Sequence, residues 1–288
     1  MQKKLLAARV LIICILILSL LLSVALFALL RQDLIFLMMQ QIHHYDEFSF
    51  SVIDPIENGV KYSLNDLKKQ KNTIVSSVMM LVNSSHPLPQ NFEVPIEIYN
   101  GAEMHPLMVD SYIALRDAVL YRTGVRIYVA DDYRTREEQE EILAESEQGI
   151  AAAVGCSEHE AGLALDVYAP YFAGEEFLKS AAGREVNRIC GEYGFIIRYP
   201  NGKEEVTGIS YEPWHLRYVG MPHSKIMMDC GIVLEEYLER LPKNKWIQYN
   251  GYLILHTFSD SITMPQKWES CHISSDNAGG TLITLKMN

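Results

Sequence analysis

From Val10 to Leu30 the chain runs for 21 residues with Ser19 and Ser23 as its polar positions. About 20 apolar residues span the hydrocarbon core of a bilayer as a helix, so this run predicts a transmembrane segment. Beyond it the pattern breaks up. Gln32 to Val75 mixes apolar and polar patches without a sustained period and carries Lys68, Lys69 and Lys71, which predicts a stalk. Asn83 to Pro95, rich in Pro, Ser and Asn, predicts a loop.

From Pro106 the periods sharpen. Tyr112, Leu115 and Val119 recur at helical spacing, with Gly124 as the C-cap. Val125 to Ala130 predicts a strand. Thr135 and Glu138 stand at capping-box spacing and open a second helix, which runs through Ile142 and Leu143 and frays near Gly149. Leu163 to Tyr168 alternates as a strand. Val186, Ile189 and Cys190 mark a third helix, ended by Gly194. Phe195 to Tyr199 and His215 to Val219 read as strands, with a turn at Pro200-Asn201-Gly202. In the tail, Trp246 to Phe258 predicts two strands around Asn250-Gly251, a good hairpin signal, and Leu282 to Leu285 a last strand.

Charge orients this layout. Lys3, Lys4 and Arg9 precede the apolar run and Arg31 follows it, which favours a cytoplasmic N-terminus with the remainder outside. The rival is a cleaved signal peptide, whose apolar region is usually about 7–15 residues; this run is longer, and Leu34 to Met39 after it is again apolar. The 288 residues carry a net charge of −11, and the first 31 hold four basic residues and no acids, so the remainder is at −15. So acidic a chain argues against nucleic-acid binding. Hydrophobic residues at 49% exclude a disordered chain. Of five cysteines, Cys14 lies in the apolar run. Cys156, Cys190, Cys230 and Cys271 leave two disulfides or isolated thiols equally open.

Two clusters carry chemistry. The first is Ser157-Glu158-His159-Glu160-Ala161-Gly162-Leu163-Ala164-Leu165-Asp166. On the predicted strand, Leu163, Leu165 and Val167 share an apolar face, so Asp166 points away from the core with Ala164 and Tyr168. Gly162 lets the chain turn back, so that His159 converges on Asp166. The second is Glu212-Pro213-Trp214-His215. Pro213 disfavours a helix, so Glu212 and His215 must meet through a turn into the strand. Two imidazoles and a carboxylate (His159, His215 and Asp166) form a catalytic zinc set that leaves a fourth position for water. Glu212 is then the general base. Lone histidines are usually surface residues, and His43, His44, His223, His256 and His272 read so.

These two strings resemble the VanY-type D-alanyl-D-alanine carboxypeptidases, zinc peptidases related in fold to the hedgehog signalling domain. Leu81-Val82-Asn83, Pro87-Leu88-Pro89 and the run from Arg198-Tyr199-Pro200 to Gly220 extend the likeness to roughly residues 81–220. The resemblance implies an α+β fold: a hedgehog/DD-peptidase-like domain with an antiparallel sheet flanked by helices, preceded by one transmembrane helix. It implies Zn²⁺ on His159, Asp166 and His215, with Glu212 as base. The family's Ser-Gly-Tyr-Arg-Ser motif reads here Asp131-Asp132-Tyr133-Arg134-Thr135, followed by Gln139. With Thr135 as N-cap, Arg134 and Gln139 face each other at a helix start, where the usual pair is apolar. A guanidinium and an amide there suggest a polar site, and Arg suits a carboxylate or oxyanion. The rival is an Arg134 paired with Asp131 or Asp132 at the surface. The resemblance adds Ser157, Tyr133 and Trp214 as substrate contacts. Asp132 departs from the family's Gly, and Cys156 from a common aromatic; the spacing of Cys156 to His159 leaves a cysteine ligand as a minor alternative.

The expected protein is a single-pass, extracytoplasmic zinc carboxypeptidase of the cell membrane. It trims D-Ala from peptidoglycan stem peptides ending in D-Ala-D-Ala, with a plausible part in vancomycin resistance. The expected units are a cytoplasmic tip and anchor (1–31), a stalk (32–75), the zinc domain (76–242) and a small β-rich extension (243–288). The alternatives are an L,D-carboxypeptidase on tetrapeptide stems and a zinc-bound recognition module without turnover.

Overall fold

In the computed structural model, which describes residues 2–53, 56–145 and 152–287, the apolar run is one helix, α1 (Gln2–Leu30). Its stretch Leu11–Leu30 is long and apolar enough to cross a membrane, and none of it is buried against the chain. A second helix, α2 (Gln32–Ile42), follows and buries Phe36 under the Arg188 guanidinium, 5.2 Å from the ring centroid. The segment after it corrects the expectation of a stalk. It contributes β1 (Ser51–Ile53), β2 (Val60–Ser63) and β3 (Thr73–Ser76), all built into sheets, with the short helix α3 (Leu64–Leu67) between β2 and β3.

The middle of the chain follows the sequence periods closely. After the hairpin β4 (Glu97–Tyr99) and β5 (Ala102–Met104), α4 (Pro106–Thr123) buries Tyr112, Leu115 and Val119 and ends at Gly124 in the left-handed region. β6 (Tyr128–Asp131) starts three residues later than expected. At the start of α5 (Arg136–Glu145), the Thr135 N–H donates to Glu138 Oε2 (2.8 Å) and the Glu138 N–H to Thr135 Oγ1 (3.2 Å), the predicted capping box. The expected fraying near Gly149 lies outside the described residues. Then come β7 (Ala164–Tyr168), α6 (Ala181–Ile189), β8 (Phe195–Tyr199), α7 (Glu204–Thr207), β9 (Glu212–Tyr218), α8 (His223–Cys230) and α9 (Leu234–Arg240). β6, β7, β9 and β8 form an antiparallel sheet in that order. Leu165, Val167, Ile197 and Leu216 on one face pack with Leu115, Val119, Val186 and Ile189 from α4 and α6. Burying one apolar sheet face under helices is the α+β solution. The opposite face is left for the polar residues.

The tail is β-rich and pairs with strands from the segment before β4. β10 (Trp246–Tyr249) and β11 (Tyr252–Thr257) make the predicted hairpin, with Asn250 and Gly251 both at positive φ. β12 (Ser261–Met264), β13 (Ser270–Ser275) and β14 (Thr281–Lys286) follow. One six-stranded sheet runs β1-β10-β11-β14-β13-β3, and β2 pairs with β12 in a separate ribbon. Residues before and after the four-stranded sheet therefore share one sheet. Its core is continuous with residues 78–82 and with α8 and α9, through Ile247, Ile254 and Leu282.

Three histidines expected at the surface are not there. His223 and His256 are buried, at 3% and 2% exposure, and His272 is half-buried. Each found a polar partner distant in sequence: Thr284 for His223, Asp276 for His256 and Ser76 for His272. All five cysteines are free thiols.

Candidate active site

The site begins with strand register. Asp166 of β7 stands directly opposite His215 of β9, so both side chains leave the same sheet face. His159 arrives from a single 3₁₀ turn, His159–Ala161, closed by Gly162 at φ +65°. A Cβ at Gly162 would sit 2.6 Å from Val94 Cγ1, so the turn requires glycine on two counts. His159 Nε2 lies 3.5 Å and His215 Nδ1 2.9 Å from Asp166 Oδ1. One donor atom from each of the three residues falls within 4.8 Å of the others. Cys156, the alternative ligand, is not in this cluster.

The donors fit a metal. Asp166 Oδ1 is buried and has no aligned hydrogen bond despite its short contact with His215. His159 donates its Nδ1–H to the Asp132 carbonyl at 2.6 Å, which leaves the Nε2 lone pair facing Asp166. A two-nitrogen, one-oxygen set with room beside it suits Zn²⁺. Electrostatics agree. Burial works against the Asp166 carboxylate, yet both imidazoles overcome it and hold its pKa well below the usual range. Burial likewise disfavours an imidazolium at His215, but Asp166, Glu158 and Glu212 carry it up to about 10. Three carboxylates around one buried imidazole call for a positive charge.

Glu212 reaches the site in a way the sequence did not predict. It is the first residue of β9 and not part of a preceding turn. In a regular strand, residues 212 and 215 would face opposite sides. Here the register between β8 and β9 jumps from Ile197↔Leu216 to Tyr199↔Glu212, two steps on one strand against four on the other. This irregularity, at a proline with no N–H to give, turns Glu212 back to the site face. Its Oε2 lies 3.7 Å from His215 Nδ1. Burial pushes its pKa up, against the pull of His215 and His159.

A cleft beside the three donors is lined by Arg134, Gln139, Ser157, Tyr199, Ile209 and Glu212. Arg134 donates from Nη1 to Gln139 Oε1 at 3.0 Å, and Gln139 donates onward to the Ala152 carbonyl at 2.8 Å. Arg134 is also ion-paired with Asp131, so the surface pairing weighed from the sequence and the place in the cleft coexist. Tyr133 and Trp214 do not join this cleft. Tyr133 lines a neighbouring cavity with Phe92 and Arg136, and Trp214 packs on the helical core beneath β9. Sequence reasoning missed Glu158, Arg198 and Arg217, all buried at 1% exposure or less. The signal was present: lone arginines inside the expected strands Phe195–Tyr199 and His215–Val219 demand a buried acid.

The VanY family model, described as D-alanyl-D-alanine carboxypeptidase, matches residues 101–221. The chain is 30% identical over 275 residues to a D-alanyl-D-alanine carboxypeptidase from Enterococcus faecium, spanning 86% of this chain and 88% of that one. Among solved structures it is similar to a mutant of the vancomycin-resistance D,D-pentapeptidase VanY from a VanB-type cassette, in complex with Zn(II). That match has a TM-score of 0.51 at 34% identity, over 56% of this chain and 98% of the other. It is also similar to the LD-carboxypeptidase LdcB, with a TM-score of 0.52 at 31% identity, over 61% of this chain and 94% of the other.

Proposed function

This chain belongs to the VanY family of D-alanyl-D-alanine carboxypeptidases, and from that premise we propose that it is a membrane-anchored zinc enzyme trimming the terminal D-Ala of peptidoglycan stem pentapeptides. One observation carries the reading: donor atoms of His159, Asp166 and His215 lie within 4.8 Å of one another, the buried Asp166 Oδ1 lacks a hydrogen bond, and Glu212 stands alongside. His159, Asp166 and His215 would hold a zinc ion, which when bound would lower the pKa of a water towards about 7 and polarise the scissile carbonyl. Glu212 accepts the proton of the attacking water and returns it to the leaving amine of D-Ala.

A guanidinium has five N–H donors, and the Asp131 and Gln139 contacts occupy one on each nitrogen of Arg134. The second N–H on Nη1 and on Nη2 is then available to the tetrahedral oxyanion or the substrate carboxylate. Gln139 fixes that orientation, and Ser157 and Gln139 line the place of the terminal residue. Tyr133 and Trp214 act indirectly, Trp214 by supporting β9. The anchor is α1, oriented by Lys3, Lys4 and Arg9 with the catalytic unit outside, where stem peptides lie. Residues 1–31 form the tip and anchor, and 76–242 hold the site. Removing the terminal D-Ala removes the target of vancomycin.

The likeness to LdcB favours one second reading, L,D-cleavage of tetrapeptide stems. Full-length protein in detergent with zinc would be offered both stems and D-Ala release followed by mass spectrometry. Release from the pentapeptide alone supports the D,D reading, and release from the tetrapeptide moves the enzyme to the L,D class. No release from either sinks the proposal.

A further inference from the structure

We propose that Glu158 is a positioning residue for the metal ligand His215; the inference rests on the zinc reading above. Glu158 Oε1 accepts hydrogen bonds from Arg198 Nε and Arg217 Nη1, both at 2.7 Å. Its Oε2 has no hydrogen-bond partner and lies 3.6 Å from His215 Nε2, which is also buried and unpartnered. The two orphaned atoms complement each other. An imidazole that offers its Nδ1 lone pair to a metal is neutral and carries its proton on Nε2. A buried N–H requires an acceptor, and histidine ligands give theirs to a carboxylate, a carbonyl or a water. His159 already does so, to the Asp132 carbonyl. For His215 the acceptor in reach is Glu158.

The surroundings explain how a carboxylate survives at this depth. A lone buried carboxylate would take up a proton and become a poor acceptor. Two fully buried arginines set opposite charge against this one, and each is anchored in turn. Arg198 is held by both oxygens of Glu235, at 2.9 and 2.6 Å. Arg217 Nη2 donates to the carbonyls of Val78 (3.0 Å) and Met80 (2.7 Å). Those carbonyls belong to the segment that follows β3. It is fastened to the end of β13, where the Met79 N–H donates to Ser274 Oγ (2.9 Å) and the Leu81 N–H to the Asp276 carbonyl (3.0 Å). Contact thus runs without a break from the six-stranded sheet through Arg217 and Glu158 to a ligand.

The test compares full-length wild type, Glu158→Gln, Glu158→Asp and Leu255→Ala in detergent. Zinc Kd is read by chelator competition, ligand geometry by the visible spectrum of bound Co(II), and folding by Tm. Leu255 lies in the core of the six-stranded sheet, away from the network, and controls for lost stability. Both Glu158 variants should bind zinc about 10- to 100-fold more weakly with a shifted Co(II) spectrum. Leu255→Ala should lower Tm and keep the wild-type Kd. Wild-type affinity in a folded Glu158 variant overturns the proposal, and so does equal weakening in Leu255→Ala. Glu158→Asp keeps the charge both arginines require and decides the matter if Glu158→Gln does not fold. No zinc binding by the wild type overturns the zinc reading itself, which separates the two failures.

Discussion

The two sheets treat their buried imidazoles in opposite ways. Around the six-stranded sheet, His223 has Tyr237 Oη on one nitrogen and Thr284 Oγ1 on the other, at 2.7 and 2.8 Å. His256 is likewise saturated by Asp276 and Lys243. In the four-stranded sheet, His215 keeps Nε2 without a partner and shares the space at Nδ1 with an unpartnered Asp166 oxygen. Burial alone therefore does not separate a structural histidine from a ligand. The distinction lies in whether its nitrogens are already spoken for.

The largest blow to this contrast comes at Glu212. Glu212→Gln keeps the shape but cannot take a proton, so kcat on the pentapeptide should fall about 10²–10⁴-fold with zinc still bound. A near-normal kcat would remove Glu212 from proton transfer. Arg134→Ala should cost about 10²–10³-fold in kcat, the worth of an oxyanion donor, and Arg134→Lys should not restore it because an ammonium lacks the planar fork. Recovery in the lysine variant would reduce Arg134 to a simple charge.

On the other side of the comparison the expected effect is on stability. Burial pushes His223 down to about 3 and His272 down to about 4. Both stay neutral in the folded protein, while the unfolded chain protonates them near pH 6.5. Their stabilisation is complete above about pH 6.5 and is lost as pH falls from there towards those folded values. His223 alone should weaken the fold by about 2 kcal/mol at pH 5 relative to pH 8. Urea unfolding at the two pH values measures this, and His223→Gln should flatten the difference; an unchanged slope in that variant would contradict the assignment. The smallest effect belongs to Gln139→Ala, which removes one neutral hydrogen bond to Arg134. Two- to tenfold in kcat/KM is expected, from about 0.5–1.5 kcal/mol, and a loss as large as that of Arg134→Ala would give Gln139 a direct role.

What the sequence made legible was local. His159, Gly162 and Asp166 lie within eight residues, and their geometry follows from one turn and one strand. The Asn250-Gly251 hairpin and the Thr135 cap are similarly short-range. The strands in the supposed stalk were not legible, because Ser51 pairs with Gln248 and Ser63 with Ser261, and neither segment shows its partner. Glu212 reaches the cleft by a register jump and not by the turn expected from the sequence, and a register jump depends on the neighbouring strand. Glu158 stood inside the most informative motif and went unread. Its meaning comes from Arg198 and Arg217, 40 and 59 residues away.

The order of synthesis gives the six-stranded sheet a further meaning. β14 lies between β11 and β13, yet it is made after every strand it joins. During synthesis, β1 and β3 are made early and wait without partners until β10 and β13 follow, and the sheet remains in two halves until Thr281–Lys286 are made. A chain cut short before that point presents open strand edges, which are templates for aggregation and targets for proteases. β14 thus closes the sheet: until it is made, β11 and β13 both keep an unpaired edge.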